Sequence, residues 1–399
     1  MMDSNFYKKI SSEKTPFYVF DIDCVKNRIM YLKKSLPKNV ILCFAMKANP
    51  FIIKEIDSYI DKFEICSYGE EQIAESMNIG HEKMVISGVY KDSYSMDKII
   101  GNYEPGEVIT IESLNQLLLL DKISKQKKVG LRVILRLTSG NQFGMTEEEI
   151  ENILKERYKY KYLNIIGIQY FSGTQKTLTK RLAKEIAYLD NFLNHLRLDL
   201  GYEVEELEYG GGFPWEYFEN NKSFDEQEYL EIFSNLISQM NYQGSIVLEL
   251  GRSICASCGD YYTKVVDLKH NKEGNFAILD GGINHLVYYG QMMAMRHPIL
   301  DIYPKRNTNK IEEWNLCGAL CTINDLLVKN MPFDDLQVGD IIIFHNTGAY
   351  SMTEGISLFL SRDLPRIIFK SNSNLQVVRE NVEIYKLNMP EKNMKGSDK

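Results

Sequence analysis

Eight short apolar runs recur between residues 40 and 250, at 40–46, 63–67, 84–88, 108–112, 131–137, 164–171, 205–210 and 245–250, separated by stretches long enough for a helix. Alternation of this kind is the mark of parallel βα units. Helical periodicity is clearest over 69–78, 146–157, 178–195 and 225–240, and a further helix over 22–34 puts Val25, Ile29 and Leu32 on one face. Eight strands and eight helices predict an α/β fold, a (β/α)8 TIM barrel, with one helix ahead of the first strand. A doubly wound open sheet is the competing architecture, but no G-x-G-x-x-G follows the first strand to favour it.

After residue 260 the pattern changes. Short apolar runs at 261–266, 275–280, 313–316, 340–344 and 366–369 are separated by turns and predict a second, all-β domain. A strand at 16–20 is assigned to the same domain. The expected division is a barrel over 22–260, a β domain of 261–390 with 1–21, and a disordered polar tail over 391–399. Two domains suit 399 residues, a length beyond which single cores stop growing.

The net charge of −7, with no basic stretch interleaved with aromatics, argues against a nucleic-acid surface. No run is apolar and long enough to span a membrane, and the opening residues have no secretory pattern. Seven cysteines, an odd number in a long chain, suggest reduced thiols and a cytoplasmic location. Cys255-Ala-Ser-Cys258 could pair only with Cys317 and Cys321, whose spacing is not a usual ligand box, so no metal site is expected.

A TIM barrel collects its chemistry at the C-terminal ends of its strands. Those ends carry Lys47; Glu64 with Cys66; Ser87-Gly88 with Lys91 nearby; Glu112; Arg136; Gln169 and Ser172; Gly210-Gly211-Gly212; and Glu249-Leu250-Gly251-Arg252. The apolar run Val40-Ile41-Leu42-Cys43-Phe44-Ala45-Met46 ends in Lys47. A cation there is costly to desolvate unless paired, and lysine is the side chain that forms Schiff bases. Alone it could simply cap the strand in solvent. The three glycines expose backbone N–H groups, and Arg252 adds a guanidinium after the eighth strand, where barrels commonly bind phosphate.

Together these residues suit a phosphorylated aldehyde cofactor. Lys47 would carry the Schiff base, and Gly210–Gly212, Ser172 and Arg252 would hold the phosphate. Glu249 would pair with the pyridinium N–H and keep the ring an electron sink. A buried ion pair with Arg252 is the plainer role for Glu249.

The chain resembles the fold-type III pyridoxal-phosphate decarboxylases, the family of diaminopimelate, ornithine and plant-type arginine decarboxylases. The resemblance runs from about Pro16 to Ile368. It is carried by Phe44-Ala45-Met46-Lys47-Ala48-Asn49, Glu208-Tyr209-Gly210-Gly211-Gly212-Phe213, Glu249-Leu250-Gly251-Arg252, Leu279-Asp280-Gly281-Gly282, Gly318-Ala319-Leu320-Cys321-Thr322-Ile323-Asn324-Asp325 and Asn346-Thr347-Gly348-Ala349-Tyr350. It implies an alanine-racemase-like pair of domains and a head-to-tail homodimer with shared active sites. It also implies that Cys321, from the partner, protonates the α-carbon after CO2 leaves. Tyr350 would contact the cofactor phosphate, Glu64 and Gly251 would join the cofactor site, and Arg136, Thr322 and Asp325 would line the substrate pocket.

Three positions depart from that pattern. Gln169 is aligned with a histidine that stacks on the ring, and an amide cannot titrate near neutrality as imidazole does. Glu64 stands where aspartate is commoner. Thr322 follows Cys321, where diaminopimelate enzymes carry Glu and ornithine enzymes Asp. The expected activity is therefore decarboxylation of an amino acid that is free, conjugated or bound to a carrier protein, with Lys47, Cys321 and Glu249 catalytic. A racemase or epimerase on the same barrel and a catalytically silent regulatory homologue are the alternatives.

Overall fold

The computed structural model describes residues 10, 12–219, 224–287, 293–372 and 374–390. The tail assigned to 391–399 lies outside them. The chain forms two compact units: Val25–Trp215 with Lys222–Ile254, and the described parts of Met1–Cys24, Glu216–Asn221 and Cys255–Lys399.

Strand β1 (Phe17–Asp21) comes first in the chain and belongs to the second unit. The first unit is a closed parallel barrel of β2 (Val40–Ala45), β3 (Lys62–Ile65), β4 (Met84–Ile86), β5 (Val108–Ile111), β6 (Leu131–Leu137), β7 (Leu163–Phe171), β8 (Glu206–Gly210) and β9 (Ser245–Leu250). This is the (β/α)8 barrel predicted. Closure is direct, since β2 pairs with β9 from Val40↔Ile246 to Phe44↔Leu250.

Alternate residues of each strand face the barrel interior. Cys43, Val85, Val108, Ile134, Ile166 and Val247 form one apolar cluster there. Farther along several strands the chain turns polar, with Glu64, Thr110, Glu112, Gln169 and Glu249 all buried. Several loops that leave the strands end in a residue that caps the next helix. Ser67, Asp92 and Ser113 each accept a backbone N–H of the helix they precede, and Thr146 with Glu149 forms a capping box. These caps fix where each strand-end side chain leaves the sheet.

The second unit is a nine-stranded mixed sheet. To β1 it adds β10 (Gly259–Asn271), β11 (Gly274–Leu279), β12 (Leu300–Tyr303), β13 (Ile311–Cys317), β14 (Leu326–Asp334), β15 (Ile341–Phe344), β16 (Arg366–Ser371) and β17 (Asn374–Arg379). The order is β14-β13-β11-β10-β1-β16-β17, with β15 pairing β10 and β12. β1 is antiparallel to β10 and parallel to β16, so the strand near the N-terminus is built into this sheet. Its core packs Phe17, Val19, Tyr262, Ile341, Ile343 and Ile368 together. Among the described residues no helix is long and apolar enough to cross a membrane, and no disulfide joins the seven cysteines.

Candidate active site

The C-terminal mouth of the barrel holds a lysine between two buried carboxyls. Lys47 lies in a 3-10 turn, Met46–Ala48, directly after β2. Its Nζ donates to Glu64 Oε2 and lies 3.4 Å from Glu249 Oε1. The two acids come from β3 and β9, the strands on either side of β2. In register, Ala45 stands beside Glu64 and Cys43 beside Glu249, so the parallel pairing itself delivers the trio.

The acids are electrostatically unlike. Burial would push Glu64 up, but Lys47 and hydrogen bonds from Cys66 and Lys47 hold its carboxyl below the ordinary range. Glu249 is pushed up to about 7, by burial and then by the charge of Glu64, against the pull of Lys47. The two neighbouring carboxyls compete for Lys47, which holds Glu64 down while the charge of Glu64 raises Glu249. Cys66 completes the group. Its thiol donates to Glu64 Oε1 at 3.0 Å, lies 3.5 Å from Lys47 Nζ, and is pushed well up by burial.

Gln169 faces the same interior from β7, 2% exposed, with its amide nitrogen 3.5 Å from Glu249 Oε2 and its oxygen without a partner among the described residues. Glu208, its neighbour across the β7–β8 ladder, is fully buried and neither carboxyl oxygen has a partner among them. Burial, then the charges of Glu249, Glu64 and Glu206, drive this acid well above its usual range. On the other side of the mouth Arg136 Nη1 pairs with Glu112 Oε1 at 2.7 Å, and Lys91 donates to Gly88 O at 2.7 Å. Burial lowers Lys91 to about 8.

The glycine turn after β8 is tightly enclosed. At Gly212 φ is +60°, and a Cβ would lie 2.1 Å from Gly173 O. At Gly210 a Cβ would meet the Phe171 ring at 2.4 Å. No side chain fits at either place. Gly211 N–H reaches Glu249 O at 3.3 Å, tying the turn to β9. Gly251 then accepts the Ile254 N–H, and Arg252, 3% exposed, points its Nε at Thr174 Oγ1 at 3.4 Å. Ser172, expected to grip phosphate, gives its hydroxyl to Glu185 Oε1 at 2.6 Å instead. Cys66 and Thr174 lie at strand ends in the sequence, but neither was assigned a role in the site. Their signal was position, directly after strand ends already marked as polar.

These residues fit pyridoxal 5′-phosphate. An amine held by carboxyls, a buried acid near its midpoint at neutral pH, a side-chain-free turn with an arginine after the next strand, and the unpartnered Gln169 oxygen are the chemistry that an aldehyde, a ring nitrogen and a phosphate require.

The remaining sequence-predicted residues lie in the second unit. Cys321 and Thr322 sit in the turn between β13 and β14, with Cys321 exposed. Asp325 is 3% exposed and accepts the backbone N–H groups of Ile283 at 2.8 Å and Leu320 at 2.7 Å, so its carboxylate holds that turn in shape. Tyr350 has φ of +63° and is half-buried. Among the described residues no group of three or more His, Cys, Asp or Glu could hold a metal ion.

The family model for the pyridoxal-binding domain of pyridoxal-dependent decarboxylases matches residues 22–256. Among relatives, L-glutamyl-[BtrI acyl-carrier protein] decarboxylase of Niallia circulans is 24% identical over 393 residues, covering 92% of this chain and 91% of that one. The 2-[(L-alanin-3-ylcarbamoyl)methyl]-2-hydroxybutanedioate decarboxylase of Staphylococcus aureus is 25% identical over 390 residues, covering 90% and 95%. Among solved structures, diaminopimelate decarboxylase of Helicobacter pylori complexed with L-lysine has a TM-score of 0.84 at 22% identity, covering 96% of this chain and 98% of that one.

Proposed function

The chain belongs to the pyridoxal-dependent decarboxylase family, and from that premise we propose that it removes the α-carboxyl group of an amino acid presented in conjugated or carrier-bound form. The observation that carries the chemistry is Lys47 set between Glu64 and Glu249 at adjoining strand ends. The substrate class is supported by Thr322, which offers no charge to a distal amine or amino-acid centre. Relatives named for a carrier-bound and a conjugated substrate support it as well.

Pyridoxal 5′-phosphate, when bound, supplies an aldehyde for the substrate amine and a ring that accepts the electrons released with CO2. Lys47 is the amine that holds the cofactor and later frees the product. Glu249, near its midpoint at neutral pH, can hold or release a proton at the ring nitrogen or at Lys47 Nζ. Glu64 orients Lys47 and stays ionised. Gly210–Gly212, Gly251 and Arg252 would hold the phosphate, and Gln169 steadies Glu249. Arg136 borders the substrate.

Cys321 returns a proton to the α-carbon. Being exposed on its own turn, it needs a covering surface to act in a water-excluded site, which supports the head-to-tail homodimer. Asp325 serves the substrate by fixing the turn that carries Cys321 and Thr322. The absence of disulfides supports a cytoplasmic setting.

The test is CO2 release from free diaminopimelate, ornithine, lysine, arginine and glutamate, then from conjugated and carrier-bound forms. Turnover on a conjugate or carrier-bound amino acid well above the free ones is expected. Free diaminopimelate turned over faster than every conjugate would sink the substrate reading. A visible absorbance of bound cofactor that survives Lys47→Ala unchanged would sink the cofactor role of the lysine.

A further inference from the structure

Behind the glycine turn lies a lysine that none of these roles uses. Lys176 follows β7, and its side chain is 1% exposed. Its Nζ donates to Glu185 Oε2 at 2.8 Å and lies 3.3 Å from Gly210 O and 3.5 Å from the Tyr209 hydroxyl. Its backbone N–H donates to Gly212 O at 3.0 Å. One residue thus binds the first and last glycines of the turn. Its stem packs against the turn, since a Cβ on Gly212 would lie 3.1 Å from Lys176 Cε.

Glu185, on the helix Thr179–Asp199, is the counter-ion, but a shared one. It also accepts from the Ser172 hydroxyl at 2.6 Å, the Tyr209 hydroxyl at 3.0 Å and Arg181 Nε at 3.2 Å. One carboxylate therefore serves two cations and two hydroxyls. Arg181 is more than half exposed and is screened by water, whereas Lys176 is not. A buried ammonium whose ion-pair carboxylate among the described residues is divided in this way keeps part of its field, in a medium that transmits it. That field originates at the turn assigned to the phosphate above.

We propose that Lys176 is a positioning residue for the cofactor phosphate: it holds Gly210–Gly212 in the anion-receiving shape and adds a buried positive charge behind the phosphoryl group. The inference rests on the pyridoxal-phosphate reading above. A plain structural role, a salt bridge pinning the helix to the barrel, predicts loss of stability without preference for a phosphorylated ligand.

The experiment titrates the apo-protein with pyridoxal 5′-phosphate, with pyridoxal, which lacks the phosphate, and with inorganic phosphate, reading fluorescence and thermal melting. In Lys176→Met, affinity for the phosphorylated vitamer falls about 10- to 100-fold, pyridoxal changes less than about threefold, and inorganic phosphate no longer raises the melting temperature. Glu185→Gln keeps the shape and removes the competing charge, so affinity for the phosphorylated vitamer holds or rises. Equal losses for both vitamers, or no loss, in Lys176→Met overturn the proposal. If that variant does not fold, a fall in phosphorylated-vitamer affinity in Glu185→Gln overturns it. Failure of the wild-type protein to take up the cofactor at all would instead bring down the underlying reading.

Discussion

The side-chain nitrogen of Gln169 lies 3.5 Å from Glu249 Oε2, so an amide, which cannot exchange a proton near neutrality, neighbours the carboxyl that is pushed up to about 7. Gln169→Leu removes a donor that favours the ionised carboxyl, so the carboxyl moves further up. On the role proposed for Glu249, the rising limb of kcat/KM against pH should shift toward alkaline pH by about half a unit to one unit. A pH–rate profile that does not move separates Gln169 from the ionisation of Glu249.

Glu208 behaves as a neutral acid inside the barrel. Burial first, then neighbouring acids, raise its carboxyl well above the ordinary range. The folded chain therefore keeps a proton that the unfolded chain releases. The stability this contributes is complete below the unfolded value of about 4.5 and is lost as pH rises through the folded one. Glu208→Gln carries no such proton. Its urea midpoint should exceed the wild-type value at pH 9, and the gap should close toward pH 5. A gap of constant size at both pH values would show that Glu208 does not titrate differently on folding.

Arg136 and Glu112 form an ion pair at 2.7 Å in which the side chains are 12% and 3% exposed. The guanidinium also lies over the Phe143 ring at 4.8 Å. Arg136→Met leaves a buried carboxylate alone and should cost about 3–5 kcal/mol. The double variant Arg136→Met with Glu112→Gln should recover most of that loss. Denaturant unfolding of the four proteins closes the cycle, and additive single costs would refute the coupling.

His285, in the second unit, is buried neutral. Burial pushes it down to about 4, against the carbonyl of Asp363, which Nε2 reaches at 2.8 Å. The unfolded chain takes up the proton below about 6.5 and the folded chain does so only near 4. The contribution is complete above about 6.5 and is lost as pH falls toward 4, about 3 kcal/mol in all. His285→Gln should flatten the fall in unfolding free energy between pH 6.5 and 4.5.

The barrel was legible because each strand is an unbroken apolar run between turn residues. The run at 131–137 has the bounds found, and others overshoot by a residue or two where the chain already enters a turn. In the β domain, β12, β14 and β17 escaped notice. Leu326–Asp334 is broken by Lys, Asn and Pro, and Asn374–Arg379 by Asn374, Gln376 and Arg379, so neither shows an apolar run. Strand ends named the site, since Lys47, Glu64 and Glu249 follow from the parallel register. Partners at a distance in sequence were not legible. Ser172 turns to Glu185, and Lys176 reaches back to Gly210, through packing of a helix that periodicity alone does not orient.

Lys47 stands directly after β2, and its two acids stand on β3 and β9, the last strand of the barrel being the one that closes onto the first. A chain that stops before β9 lacks one of the three. On the role proposed for Lys47, the amine gains its full electrostatic setting only when β9 pairs with β2, so cofactor uptake by a chain truncated before β9 should be lost.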